Sequence, residues 1–206
     1  MGDITGALNR VAREGEPAVT AIRDRIRASP VVHADETGWR EDGVSGYVWT
    51  FSTPSERYFL RRNRGKGVVD EILGPDSGGV LISDFYAAYY HYAGLHQRCW
   101  AHLLREIHDL CQLYPDDAGL ARWATAVRSV FNWGKAVTTR DSRQRQQAQR
   151  RLSEDLLRLC QPFLNGPLAM QRRLCRRVER FLSELLTFVG TPGVPADKEW
   201  ASYCTS

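Results

Sequence analysis

Two aspartates invite a chemical question: Asp35 in VVHADETGWRE and Asp84 in GVLISDFYAAYY each finish a short apolar run. An aspartate at a strand end commonly serves as a turn or capping residue, and one alone would carry nothing further. Two on neighbouring strands differ, because close carboxylates repel unless a cation or a proton is shared between them. Hard oxygen ligands of this kind suit Mg2+ or Mn2+. A pair of such ions about 3.5–4 Å apart activates an attacking oxygen and stabilises the leaving one in phosphodiester cleavage. Two carboxylates alone bind these ions weakly, so a third ligand is expected to follow.

Other residues near the two aspartates fit this chemistry less well. Glu36 follows Asp35 directly, and successive strand side chains face opposite ways, so a capping or salt-bridge role is expected for it. Cys99-Trp100-Ala101-His102 holds half the ligands of a zinc site, but no second Cys/His pair stands at a fitting distance. A structural role is expected: Cys99 as a small buried hydrophobe, and His102 near a helix start with its ring hydrogen-bonded near the site. The stretch NRGKG lacks the full phosphate-loop pattern and reads as a helix N-terminus with modest anion affinity.

The elements that must position these groups follow from periodicity. Ile4, Leu8, Val11, Val19, Ile22 and Ile26 recur at helical spacing, giving one or two amphipathic helices over residues 1–29. VVHAD, GYVWTFS and ERYFLRR read as three strands joined by short turns, with Tyr47, Trp49 and Phe51 on one face. RGKGVVDEILG reads as a helix stopped by Gly74-Pro75, GVLISD as a buried strand and FYAAYYHY as a short helix. LHQRCW follows as a strand and AHLLREIHDLCQLY as a helix with Leu103, Ile107, Leu110 and Leu113 on one stripe.

An antiparallel meander followed by parallel strands with crossover helices makes an α/β fold with one mixed sheet, the layout of ribonuclease H-like domains. In it the first and fourth strands are neighbours, so Asp35 and Asp84 are expected to converge at a sheet edge. This core is expected over residues 30–115. From Asp116 to about residue 190 the pattern is all helical and basic, with stripes such as Leu174, Val178, Phe181 and Leu185, and residues 191–206 form a turn-rich tail.

Charge is unevenly spread. Residues 121–180 hold 14 Lys/Arg against four acids, a net +10 within a chain whose total is +4. An acidic body with an Arg-rich arm points to a polyanionic partner, with Arg172, Arg173, Arg176 and Arg177 as DNA-contacting candidates; the alternative is a solvated helical face. With no apolar run long enough to span a bilayer and no signal-peptide layout, a cytoplasmic protein without a membrane partner is expected. Five scattered cysteines, never spaced Cys-x-x-Cys, suit free thiols in a reducing compartment.

Taken in order, HADETGWR, GYVWTF, LISDFYAAYY and QRCWAHLLREI resemble the transposases of the insertion sequence 66 family, bacterial DDE enzymes with a ribonuclease H-like catalytic domain. The likeness runs motif by motif from Pro30 to Tyr114 and more loosely to TPGVPAD. It implies DNA cleavage and strand transfer with Mg2+ or Mn2+. It also implies that Asp35 and Asp84 are the first two acids of the triad, and that Cys99 and His102 are the Cys-x-x-His after the second. The family's third acid lies in an Asn-Asn-x-x-Glu-Arg motif after a VPxD-like turn. Here GVPAD is followed by KEWASYCTS, which puts Ser202 at the glutamate's place and Glu199 three residues early. This departure gives the expectation of a truncated, catalytically incomplete chain that binds Mg2+ weakly, with Glu106 as the substitute acid. The alternative is a non-catalytic remnant that binds DNA, a full-length transposase or another copy of itself.

Overall fold

The computed structural model describes residues 3–65, 67–75 and 77–197. Asp3 caps the first helix, α1 (Ile4–Arg27), by accepting the Thr5 amide, and the helix runs unbroken through Pro17. Ile26 is its buried residue, while Arg27 near the C-terminus donates to the carbonyls of Glu71 and Ile72.

Strands β1 (Val31–Glu41), β2 (Val44–Ser52) and β3 (Arg57–Arg62) form the expected antiparallel meander. Asp42 and Gly43 have φ of 50° and 78°, the left-handed pair that a two-residue hairpin needs for its strands to keep their twist. That tight turn extends the β1–β2 ladder to Glu41. Asp35 therefore lies in the middle of β1, opposite Thr50, and not at the strand end expected from the apolar run. Alternation along β2 buries Trp49 and Phe51 and packs Tyr47 against the same core.

Helix α2 (Gly67–Leu73) closes this core with Val68, Val69, Ile72 and Leu73. Strand β4 (Val80–Ser83) is buried at every position, and its Val80 amide donates to the Pro30 carbonyl at the start of β1. The short helix expected over FYAAYYHY is a 3-10 turn, Ala87–His91. Strand β5 (Leu95–Arg98) completes a mixed five-stranded sheet of order β3-β2-β1-β4-β5, so β1 and β4 are neighbours, as expected.

The described residues divide into two compact units, one reaching to Leu81 and including Tyr86–Gly94, the other made of Ile82–Phe85 and residues 95–197. The second contains α3 (Trp100–Leu113), α4 (Ala118–Val137), α5 (Ser142–Cys160), α6 (Ala169–Arg180), α7 (Leu182–Leu185) and α8 (Thr187–Gly190). Leu103, Ile107 and Leu110 of α3 are buried, whereas Leu113, expected on the same stripe, is exposed on the last turn.

The last three helices are separate. They break at Phe181 and Leu186, and Leu185, Leu186, Thr187, Phe188 and Val189 are all buried. The stripe Leu174, Val178, Phe181 and Leu185 is buried as its spacing predicts. Arg145 is also buried, satisfied by the carbonyls of Thr138, Phe188 and Val189. Gln97 of β5 holds the same segment, donating to Leu185 and accepting from the Phe188 amide. Cys99, Cys111, Cys160 and Cys175 are thiols outside any disulfide among the described residues; a hydrogen bond with Cys175 and then burial push the Cys160 thiol up. Cys204 lies outside the described residues.

Candidate active site

In the first unit Asp35 is half-buried, and its carboxylate accepts the backbone amide of Glu36 at 3.1 Å. Strand alternation turns Glu36 the other way, into a nearly buried position with 3% of its side chain exposed. There its carboxylate accepts the Tyr89 hydroxyl at 2.6 Å and the Arg64 guanidinium at 3.1 Å. Arg64 is sandwiched over the rings of Tyr86 (4.0 Å) and Tyr47 (5.1 Å), so the attraction to Glu36 acts alongside cation–π contact. Burial works against the charge on Arg64, but the Glu36 hydrogen bond and charge outweigh it and raise its pKa. The salt-bridge role expected for Glu36 is what the structure shows.

In the second unit Asp84 follows β4 directly and is half-buried. Its backbone carbonyl accepts Nη1 of Arg98 at 2.7 Å and the Ser83 hydroxyl at 3.0 Å. Arg98, at 1% exposure, also donates to Ser83 Oγ (3.1 Å) and to Glu184 of α7 (2.6 Å), and it lies over the Phe181 ring. Its Nη2 is 3.4 Å from His96 Nδ1; a guanidinium offers only donors, so Nδ1 is the acceptor and the neutral ring carries its proton on Nε2. Burial, and then the Arg98 charge, push the His96 pKa down to about 3. Glu184 lies 3.5 Å from the same nitrogen, but its charge is already matched by Arg98.

Cys99 is fully buried at the start of α3, the small hydrophobe expected, and His102 lies half-buried in the first turn. Among the described residues no three His, Cys, Asp or Glu side chains are grouped to hold a metal ion. The Glu106 carboxylate is paired with Arg177 and lies 3.6 Å from Arg173. Ser202 and Glu199, on which the expected loss of the third acid rests, lie outside the described residues.

The four candidate DNA-contacting arginines separate by environment. Arg173 and Arg176 are exposed on α6. Arg172 is half-buried and donates to the Gly166 carbonyl, and Arg177 is half-buried between Glu106 and the Phe85 ring. Between α4 and α5 runs a groove of about 650 Å3 that charge counting did not single out, lined by Trp133, Arg140, Arg151 and Arg158 together with Glu154 and Asp155. Trp133 is 62% exposed there, an aromatic among cations; its lack of a place on the buried stripe Leu120, Trp123, Val127, Val130 was the available signal. Arg64 as the partner of Glu36, and the pair Arg98–Glu184, escaped pattern reading, since sequence does not reveal which charges meet.

Carboxylate oxygens such as those of Asp35 and Asp84 are hard donors of the kind that suits Mg2+ or Mn2+, and no group of three potential ligands gathers around either among the described residues. No described helix is long and apolar enough to cross a membrane. In comparisons with known proteins, the family model described as "Transposase IS66 family" matches residues 2–199. Neither the curated proteins nor the solved structures gave a match.

Proposed function

Since the chain belongs to the IS66 transposase family, we propose that it acts in DNA transposition by DDE chemistry on a ribonuclease H-like sheet, with Asp35 and Asp84 as the first two acids. The observation that carries this reading is the strand order: β4, which leads into Asp84, is the sheet neighbour of β1, which holds Asp35. Asp35 and Asp84 would hold Mg2+ or Mn2+. When bound, such an ion polarises phosphoryl oxygens and lowers the pKa of a coordinated water or hydroxyl. The protein's own part is to fix the two carboxylates and to grip the DNA backbone through exposed cations. We assign that contact to Arg173 and Arg176, which are exposed on α6, while Arg172 and Arg177 bond within the protein. Such phosphate contacts confer affinity that falls with salt.

A second reading, a non-catalytic DNA-binding protein or a partner of a full-length transposase or of another copy, is favoured by Glu106. Its carboxylate is held by Arg177 and Arg173, where a third metal ligand would be offered to an ion. A nicking assay decides between the two, using duplex that carries the insertion sequence's ends with Mg2+ or Mn2+. Cleavage that disappears in Asp35→Ala and Asp84→Ala supports the catalytic reading. Salt-dependent binding without cleavage, unchanged by either substitution, supports the second.

A further inference from the structure

We propose that Arg98 is a positioning residue for Asp84, and that Glu184 on α7 is the counter-charge that keeps it in place, so that the helical region supplies part of the machinery around the second acid. The proposal rests on the reading of Asp84 as a metal-binding carboxylate. It starts from two consecutive peptide groups. The carbonyl of Ser83 accepts the Cys99 amide at 2.8 Å, and the carbonyl of Asp84 accepts Arg98 Nη1 at 2.7 Å. Each peptide group is planar, so anchoring both fixes the two planes that flank the Asp84 α-carbon, and with them the direction of its Cα–Cβ bond. Residues 98 and 99 thus hold the backbone of Asp84 from both sides.

Arg98 is more costly than packing alone requires. A buried ion pair is commonly no more stabilising than apolar residues of similar volume, and a methionine would fill much of the same space over Phe181. What methionine cannot do is reach Ser83 Oγ, the Asp84 carbonyl, His96 Nδ1 and Glu184 at once from one rigid planar group. Glu184 takes Nε at 2.6 Å, which leaves the Nη1 edge turned to the strand end. Metal sites depend on such supporting groups, whose loss typically costs about 10–100-fold in affinity.

The test uses the whole chain, isotope-labelled, with Mn2+ as the probe and broadening of the Phe85 amide resonance as the local readout. Melting temperature is measured for each variant. The wild type should show broadening that saturates with Mn2+, and Asp84→Asn should abolish it. Arg98→Met should raise the apparent Mn2+ Kd about tenfold or more. Arg98→Lys, which keeps the charge on a single donor nitrogen, should recover part of that loss. Glu184→Gln should weaken binding while leaving Arg98 in the chain, and it serves with Arg98→Lys if Arg98→Met fails to fold. Wild-type Mn2+ affinity in Arg98→Lys and Glu184→Gln, alongside its loss in Asp84→Asn, overturns the positioning role and leaves the Asp84 assignment intact. Absence of Phe85 broadening in the wild type overturns that assignment and this inference with it.

Discussion

Glu36 in the first unit and Arg98 in the second are both nearly buried charges tied to an aspartate, one as its chain neighbour and one through its carbonyl. They are satisfied in different ways. Glu36 accepts from the Tyr89 hydroxyl and from Arg64, and Arg64 is 44% exposed, so water reaches that bond. Arg98 serves a hydroxyl, a backbone carbonyl, a ring nitrogen and a carboxylate, and no single replacement reaches all four. A buried acid with an exposed partner is a local bond, whereas a buried base with several acceptors is a junction. Damage should therefore spread further in the second unit.

The largest expected effect is from Arg98→Met, which strands Glu184 and three other acceptors and should destabilise the protein by about 3–5 kcal/mol in urea unfolding. The double variant Arg98→Met with Glu184→Met should regain most of that loss; if it regains none, the carboxylate is not what makes Arg98 indispensable to stability.

Acidification should be next. The His96 pKa is about 3 in the folded chain and near 6.5 unfolded, so the unfolded state binds the proton more readily. Stability from this group is full above pH 6.5 and falls by about 1.4 kcal/mol for each pH unit below it, until pH approaches 3. Between pH 6 and 4.5 the loss is about 2 kcal/mol. His96→Gln, which keeps an acceptor for Arg98, should flatten that stretch of the profile.

Arg64→Met should cost about 2 kcal/mol, because the nearly buried Glu36 loses a charge-assisted hydrogen bond but keeps the Tyr89 hydroxyl. A loss as large as that of Arg98→Met would erase the contrast between the two sites. The smallest change in stability belongs to Arg173→Ala with Arg176→Ala, within about 0.5 kcal/mol for exposed positions. That pair should instead reduce the slope of log DNA affinity against log salt by about one per lost phosphate contact. Arg172→Ala with Arg177→Ala should do the reverse, lowering stability more than slope, since both side chains bond within the unit.

What the sequence revealed of this arrangement depended on local rules. Alternation along GYVWTFS identified the buried Trp49 and Phe51, and the same alternation turned Glu36 away from Asp35. The interval from Leu174 to Leu185 identified the buried stripe even though the helix breaks inside it, because a short kink leaves the turn count nearly intact. Asp35 was misplaced within its strand because polar residues after it look like a loop when one face is solvated. Asp42-Gly43, a strong hairpin pair, was the signal that β1 continued. Arg98 was silent, since an arginine at a strand end reads as exposed until the carboxylate 86 positions later is brought to it.

That separation has a consequence for synthesis on the ribosome. Gln97 finds Leu185 and Phe188 only 88 and 91 positions further on, and the Trp100 indole also waits for Leu185. At roughly 5–20 residues per second, about 4–18 s of translation pass before those partners exist. Through that interval β5 and the start of α3 emerge with buried-type polar groups unmatched, on a strand that can still pair with a neighbouring chain. A nascent chain arrested before Leu185 should therefore be held by chaperones and cut readily by protease near β5, and one extended past Ala196, whose carbonyl accepts the Trp100 amide, should resist.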